Sequence, residues 1–170
     1  MNCKLHEFLG DEGEREALFQ VYSEFFIRSR PLEFKYKTLS ERTVKLHEHF
    51  QYLTSHTKII FATQNEKMIG FIAFDIENKT LEIPDSLTQI IDPKKTCEFV
   101  FAASRDFDWL LFRDAVFGIF RLIRAKYNVT FIAGNVRRQH KQQAFIAIAK
   151  KLFRFKCVDN LAYHEISQSV

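Results

Sequence analysis

The sequence is poor in the residues that mark flexible or specialised chains. It has five glycines and three prolines among 170 residues and no serine- or glycine-rich tract, so nothing in it indicates a linker. The three cysteines, Cys3, Cys97 and Cys157, are odd in number and far apart, which disfavours a disulfide framework and a thiolate metal site. The composition predicts one domain over residues 1–170, in a reducing cytoplasm.

The sequence also lacks long uncharged apolar runs and a strong charge of one sign. Its most apolar segment, residues 109–123, is interrupted by Arg113, Asp114 and Arg121, so we expect neither a signal peptide nor a membrane span. The 25 basic and 21 acidic residues are intermixed, which does not indicate a nucleic-acid partner. The six histidines show no metal-site spacing, so we expect surface histidines and no metal. Phenylalanine is abundant instead, with 19 residues to build a core.

The hydrophobic pattern predicts a mixed α/β chain in the order β-α-α-β-β-β-α-β-α-β-β. Helical periodicity marks residues 12–30, 40–53, 108–126 and 137–153, and strand patterns mark 4–9, a hairpin at 57–76, 96–102, 128–133 and a hairpin at 156–166. Residues 78–95 have no clear assignment.

The segment 96–133 reads as strand, helix, strand, which predicts a parallel pair joined by a right-handed crossover. We expect this pair within a mostly antiparallel sheet that has helices on both faces. The unbroken apolar character of residues 96–102 predicts a central strand that is covered on both faces. Helix 108–126 is apolar nearly all round, so we expect it to be deeply packed.

This order of elements resembles the GCN5-related N-acetyltransferase (GNAT) family over most of the chain. The most telling match is IAGNVRRQHKQQAFIAIAKKLFRFK, residues 132–156. It looks like that family's penultimate strand, its last helix and the segment that leads from this helix into the next strand. In the family a glycine precedes the phenylalanine of that segment, whereas Arg154 precedes Phe155 here. More narrowly, CEFVFAAS followed by a helix, a strand and AGN is similar to small GNAT-like proteins of short-tailed bacteriophages, some of which are virion components.

The resemblance implies a single GNAT-like domain that uses acetyl-CoA. The family's loop Gln/Arg-x-x-Gly-x-Gly/Ala holds the pyrophosphate with backbone N–H groups. Residues 104–109, SRDFDW, stand there with an arginine but no glycine, which leaves Ser104 and Arg105 as candidate cofactor contacts. We expect Asp106 or Asp108 to cap the next helix, taking the donors that a phosphate would use, and Arg105 to pair with a nearby carboxylate.

The other candidate residues also follow from the resemblance. Glu98 fits the position of a catalytic base; its alternative is a structural carboxylate satisfied by a neighbouring arginine or lysine. The family's tyrosine acid is absent from the last helix, which leaves Tyr163 as a distant substitute or a half-buried packing residue. Arg137, Arg138 and Lys141 oppose the dipole of the last helix, so they form either an anion site for the adenosine 3′-phosphate or a solvated basic face.

Two hypotheses remain open from the sequence. The first is an acetyl-CoA-dependent N-acyltransferase with an amine substrate, in which Glu98 is the base. The second is a catalytically inactive GNAT-like protein that binds a protein partner or serves in assembly, as in a phage virion. The missing loop glycines, Arg154 in place of a glycine and the absent tyrosine acid favour the second hypothesis. The bulk of Phe107 and Trp109 would also obstruct a diphosphate at the loop.

Overall fold

The computed structural model describes residues 3–29, 35, 37–136 and 143–167, which form seven strands and four α-helices in the predicted order. The strands are β1 (Lys4–Glu7), β2 (Lys58–Gln64), β3 (Lys67–Asp75), β4 (Thr96–Ser104), β5 (Phe131–Asn135), β6 (Lys156–Val158) and β7 (Leu161–Glu165). The helices are α1 (Glu12–Ser29), α2 (Leu39–His56), α3 (Trp109–Tyr127) and α4 (Gln143–Phe153). None of these helices is long and apolar enough to cross a membrane.

The strands form one mixed sheet in the order β1-β2-β3-β4-β5-β7-β6. β4 and β5 are parallel neighbours, with Thr96 opposite Phe131 and Glu98 opposite Ala133, whereas β1–β2, β5–β7 and β6–β7 are antiparallel. The predicted α/β class and the predicted parallel pair are therefore confirmed. β5 begins later than expected, because Asn128 has a φ of 53° and turns the chain out of α3.

Local signals explain where the first two helices begin. The Asp11 carboxylate accepts the N–H of Glu14 at 2.9 Å, which makes Asp11 the predicted cap of α1. α2 was expected to start at Ser40, but it starts at Leu39 because Thr38 and Glu41 form a reciprocal capping box.

The first of two compact units comprises Met1–Ala73 and Phe101–Phe112. Its core packs one face of α1 and α2 against β2 and β3. The buried residues shared by this core include Leu18, Tyr22, Phe50, Phe61 and Phe71.

The second unit comprises Phe74–Val100 and Arg113–Val170. Residues 78–95 contribute two short 3₁₀ turns to it and no strand. Leu87 and Ile91 from this connection pack with Phe131, Ala133 and Tyr163 of β5 and β7. The prediction of a single domain stays a prediction.

Two predictions about burial are wrong. Val100, in the middle of β4, is 42% exposed, since the ladder with β5 ends two residues earlier at Glu98. Leu110 of α3 is 67% exposed, and the charged Arg113 and Asp114 are exposed one turn further along the same helix. α3 is amphipathic, so it is packed on one side only.

Candidate cofactor loop and acid–base residues

The turn between β4 and α3 is capped by its own aspartate. Asp108 accepts the N–H of Leu111 on its carboxylate at 2.9 Å, and its carbonyl accepts the N–H of Phe112 at 3.1 Å. Asp108 is therefore the N-cap of α3, as predicted, and its charge lies at the positive end of the helix dipole.

The backbone of this turn has a conformation that favours glycine. Asp106 and Phe107 have φ values of 54° and 57°, in the left-handed region that side chains with a Cβ rarely adopt. Such residues cost of order 1 to 3 kcal/mol each and persist where surrounding contacts hold them. The chain thus keeps a glycine-type turn without glycine.

Contacts with α1 hold the turn in place. The ring of Phe107 stacks on Phe25, with centroids 4.8 Å apart, and the Arg28 guanidinium lies 5.6 Å from the Phe107 centroid. Trp109 meets Phe25 edge-on at 5.6 Å. The two bulky side chains that we expected to obstruct a diphosphate are packed within the first unit.

Arg105 stabilises the same turn from the side of the sheet. Its Nε donates to the carbonyl oxygen of Met68 on β3 at 2.6 Å. The expectation that Arg105 pairs with a carboxylate is wrong, because among the described residues it forms no ion pair. The adjacent Ser104 is 1% exposed, and its hydroxyl has no hydrogen-bond partner in the described part of the chain.

A pyrophosphate fits this turn poorly. The phosphate would have to displace the Asp108 carboxylate from the Leu111 N–H, and it would face the exposed side chains of Asp106 and Asp108. Two like charges at such short range oppose binding. The residues present therefore fit poorly to the pyrophosphate site that the sequence resemblance implied.

Glu98 and Tyr163 lie in one row of the sheet. Glu98 is opposite Ala133 in β5, and Ala133 is opposite Tyr163 in β7. Directly opposed residues face the same side of a sheet, and two strand spacings separate Glu98 and Tyr163 by about 10 Å. The candidate base and the candidate acid are thus brought to one face.

The connection at residues 78–95 covers that row. The hydroxyl of Thr80 donates to the Glu98 carboxylate, so a hydroxyl satisfies it and not the arginine or lysine of the sequence-based alternative. Tyr163 is 7% exposed and packs with Leu87 and Ile91, which makes it more buried than expected. Both residues are engaged in structural contacts.

Asparagine side chains hold the connection at residues 78–95 in place through hydrogen bonds. The Asn78 amide donates to the carbonyls of Thr96 and Pro93, and the Asn135 amide forms two hydrogen bonds of 2.7 Å with the backbone of Glu82. Sequence reasoning missed these anchors, although Asn135 belongs to the AGN segment that carries part of the resemblance.

Comparison with known proteins rests on structure alone. No protein-family model and no curated protein matches the chain. Solved structures do. The paiA N-acetyltransferase of Thermoplasma acidophilum, in complex with coenzyme A, superposes with a TM-score of 0.61 at 12% identity over 97% of this chain and 99% of that one. A Desulfovibrio desulfuricans protein assigned to the GNAT family of acetyltransferases has a TM-score of 0.59 and 11% sequence identity, over 98% of this chain and 100% of that one. This chain has the GNAT fold.

A third similar structure extends the comparison to an acetyl-CoA complex. The N-acetyltransferase PseH of Campylobacter jejuni, in complex with acetyl coenzyme A, has a TM-score of 0.54 and 17% identity over 98% of this chain and all of the other. The similarity therefore spans both units of the GNAT fold. At these sequence identities the similarity establishes the fold alone, so the activity of this chain has to be argued from its own residues.

The remaining sequence predictions have mixed outcomes. Arg137, Arg138 and Lys141 lie outside the described residues, so their roles stay predictions. No group of histidine, cysteine and carboxylate side chains within the described part of the GNAT fold could hold a metal. Burial raises the pKa of the Cys97 thiol to about 12, which disfavours the thiolate form that a nucleophile needs.

His164 corrects the expectation of surface histidines. It is half-buried on β7 against the rings of Phe117, Phe120 and Phe155, and its Nδ1 lies 3.3 Å from the carbonyl oxygen of Arg154. Burial lowers the pKa of His164, and the hydrogen bond to Arg154 partly opposes that effect.

Proposed function

We propose that this GNAT-fold chain acts as a binding or assembly protein and that it does not use the cofactor loop of the fold for catalysis. The observation that carries this proposal is the Asp108 carboxylate on the first turn of α3, where a pyrophosphate would need those N–H groups. The contact of Thr80 with Glu98 and the burial of Tyr163 support the proposal. The partner would be a protein, in the cytoplasm or, following the sequence resemblance, in a phage particle.

The second candidate function is an acetyl-CoA-dependent N-acyltransferase that acts on an amine. It is favoured by the solved neighbours that hold coenzyme A or acetyl coenzyme A, and by the left-handed backbone that the loop keeps without glycine. In that case Ser104, Arg105 and the residues around Arg137 would contact phosphates, and Glu98 would have to leave Thr80 to accept a proton. The bound cofactor would supply the activated acyl thioester.

Titration with acetyl-CoA separates the two functions. A ligand at a hundred times its Kd stabilises a protein by about 2.7 kcal/mol, which a thermal unfolding experiment detects readily. We expect no Tm increase of that size for the wild type at millimolar acetyl-CoA. An increase accompanied by release of free coenzyme A in the presence of an amine would establish the acyltransferase instead.

The Asp108→Ser variant tests whether the negative charge of Asp108 is what prevents acetyl-CoA from binding. Serine keeps a capping oxygen for the Leu111 N–H but removes the negative charge. Acetyl-CoA binding that appears only in Asp108→Ser would show that the carboxylate closes the turn. If acetyl-CoA binds to neither protein, the ring of Phe107 and the side chains packed around it would account for the closed turn.

A further inference from the structure

A basic cleft on the second unit is separate from the cofactor loop and from the row that contains Glu98 and Tyr163. It consists of two adjoining hollows of about 570 and 330 Å³ at the surface of α3, the end of α4 and β7. Asp114, Phe117 and Arg154 line both hollows. Arg121 and His164 extend the cleft on one side, and Lys151 extends it on the other.

The charge of the basic cleft is only partly neutralised. Arg113, which also lines the smaller hollow, pairs with Asp114 through a contact of 3.2 Å. Arg121, Lys151 and Arg154 have no carboxylate partner in the part of the chain that the structure describes. Glu165 also lines the larger hollow, so four basic side chains face two carboxylates, Asp114 and Glu165, and the cleft keeps a net positive charge. A concave surface with net positive charge concentrates anions, and guanidinium groups bind phosphate through paired hydrogen bonds.

Arg154 occupies a backbone position that favours glycine. It follows α4 with a φ of 57°, and the N–H of Phe155 bonds to the carbonyl of Ala149 at 3.1 Å, which satisfies one carbonyl at the end of the helix. Glycine would be less strained there. The arginine side chain lies over Phe117, with the guanidinium carbon 5.9 Å from the ring centroid. A residue that violates a local preference and projects into a cleft is typical of a functional position.

The floor of the basic cleft is aromatic. The rings of Phe117 and Phe120 lie 6.0 and 5.3 Å from the ring of His164, and all three residues line the larger hollow. Flat apolar rings beside guanidinium groups suit a ligand that combines a planar ring with a charged group. The volume of the larger hollow falls within the usual range for small-molecule sites.

We propose that the basic cleft binds a small phosphate-bearing molecule, whose phosphates are held by Arg121 and Arg154. This site goes beyond the proposed function and does not depend on it. The phosphate can come from an inorganic polyphosphate or from a nucleotide. In the nucleotide case the base lies against Phe117 and His164, and the aromatic floor strengthens binding.

Isothermal titration of the full chain with inorganic pyrophosphate, ADP and adenosine tests the proposal. We expect pyrophosphate and ADP to bind at concentrations up to about 5 mM, and adenosine alone to bind far more weakly. Tighter binding of ADP than of pyrophosphate would identify a nucleotide site, and equal binding would identify an inorganic phosphate site. Absence of binding by both compounds would overturn the proposal.

Arg154→Gly is the decisive variant, because glycine suits the left-handed backbone at this position. We expect this variant to melt at or above the wild-type temperature while it binds the phosphate ligand at least about tenfold more weakly. Lys94→Ala, at an exposed lysine outside the cleft, removes the same charge and should bind normally. If Lys94→Ala weakens binding of the phosphate ligand as much as Arg154→Gly does, the effect comes from net charge, and this result would contradict a site in the basic cleft.

Arg121→Ala provides a second variant on the exposed side of α3, where alanine favours the helix. It should also weaken binding by about tenfold or more, and unchanged binding in both arginine variants would refute the proposal. Acetyl-CoA itself carries phosphates, so its titration is repeated in Arg154→Gly. A thermal shift that disappears in Arg154→Gly belongs to the basic cleft, whereas one that persists belongs to the acyltransferase function.

Discussion

Among the turns that adopt a left-handed backbone without glycine, the one before α3 and the one after α4 use it differently. Before α3, Asp106 and Phe107 are left-handed, and Asp108 and Phe107 engage the helix terminus and α1. After α4, Arg154 is also left-handed, but its guanidinium contacts one ring and lines an open cleft. The same left-handed backbone precedes a self-capped helix at one turn and carries a basic side chain on an open cleft at the other.

Two glycines of the sheet, Gly70 and Gly134, serve a different purpose. Neither Gly70 nor Gly134 has a positive φ. A Cβ on Gly70 would lie 2.7 Å from the carbonyl oxygen of Ala103, and one on Gly134 would lie 3.0 Å from the carbonyl oxygen of Phe99. These glycines are required for space, whereas at the two left-handed turns local contacts replace the conformational freedom of glycine.

Gly70→Ala should have the largest effect on stability. The new methyl group would overlap the Ala103 carbonyl and the Phe112 ring, at 2.7 and 2.8 Å, and neither a strand backbone nor a buried ring can move away freely. We expect a loss of about 3 kcal/mol, since overpacking a core typically costs about 1 to 3 kcal/mol. Thermal unfolding measures it as a fall in Tm of roughly 2 to 4 °C per kcal/mol for a chain of this size.

Gly13→Ala is the matched control for this substitution. Gly13 lies in the first turn of α1, where the nearest atom to a new Cβ is a side-chain oxygen of Asp11 at 3.3 Å. Alanine is the better helix former, so this variant should be as stable as the wild type or more stable. A Gly70→Ala variant that unfolds like the Gly13→Ala control would show that space does not explain why Gly70 is glycine.

Arg105→Ala should have the next largest effect. It removes the donor to the Met68 carbonyl in a half-buried position, and losing a hydrogen bond from a charged group costs about 1 to 2 kcal/mol here. We therefore expect thermal stability to fall more than any affinity for acetyl-CoA. Arg105→Lys keeps the charge but not the guanidinium geometry, so it should recover only part of the loss. Unchanged melting with at least tenfold weaker acetyl-CoA binding would favour the acyltransferase.

Short-range signals made several features predictable from the sequence. The acidic residues just before a helical pattern predicted a cap at Asp106 or Asp108, and Asp108 is the one that caps α3, because a carboxylate and the N–H groups it satisfies lie within one turn. The parallel pairing of β4 and β5 followed from the single helix between them and from the handedness of such crossovers.

Long-range partners could not be predicted in the same way. Arg105 bonds to Met68, 37 residues away, and Phe107 stacks on Phe25 of the first helix. Nothing near Glu98 in the sequence indicates that Thr80 will contact it. Residues 78–95 resisted assignment because they are held by irregular hydrogen bonds and a few apolar side chains, without the periodicity of a helix or strand.

Phe107 allows the smallest and sharpest test of the comparison between the two turns. Phe107→Ala and Phe107→Gly both lose the ring that stacks on Phe25, so the two variants differ only in how well they accept a φ of 57°. We expect the glycine variant to be the more stable of the two by roughly 0.5 to 1 kcal/mol, measured as a higher urea midpoint. At Leu110, an exposed helical position, the same pair of substitutions should give the opposite order, with alanine more stable by about 1 kcal/mol. If alanine is the more stable residue at both positions, the turn before α3 relaxes when the ring is lost, and packing of Phe107 on α1 is what imposes its left-handed backbone.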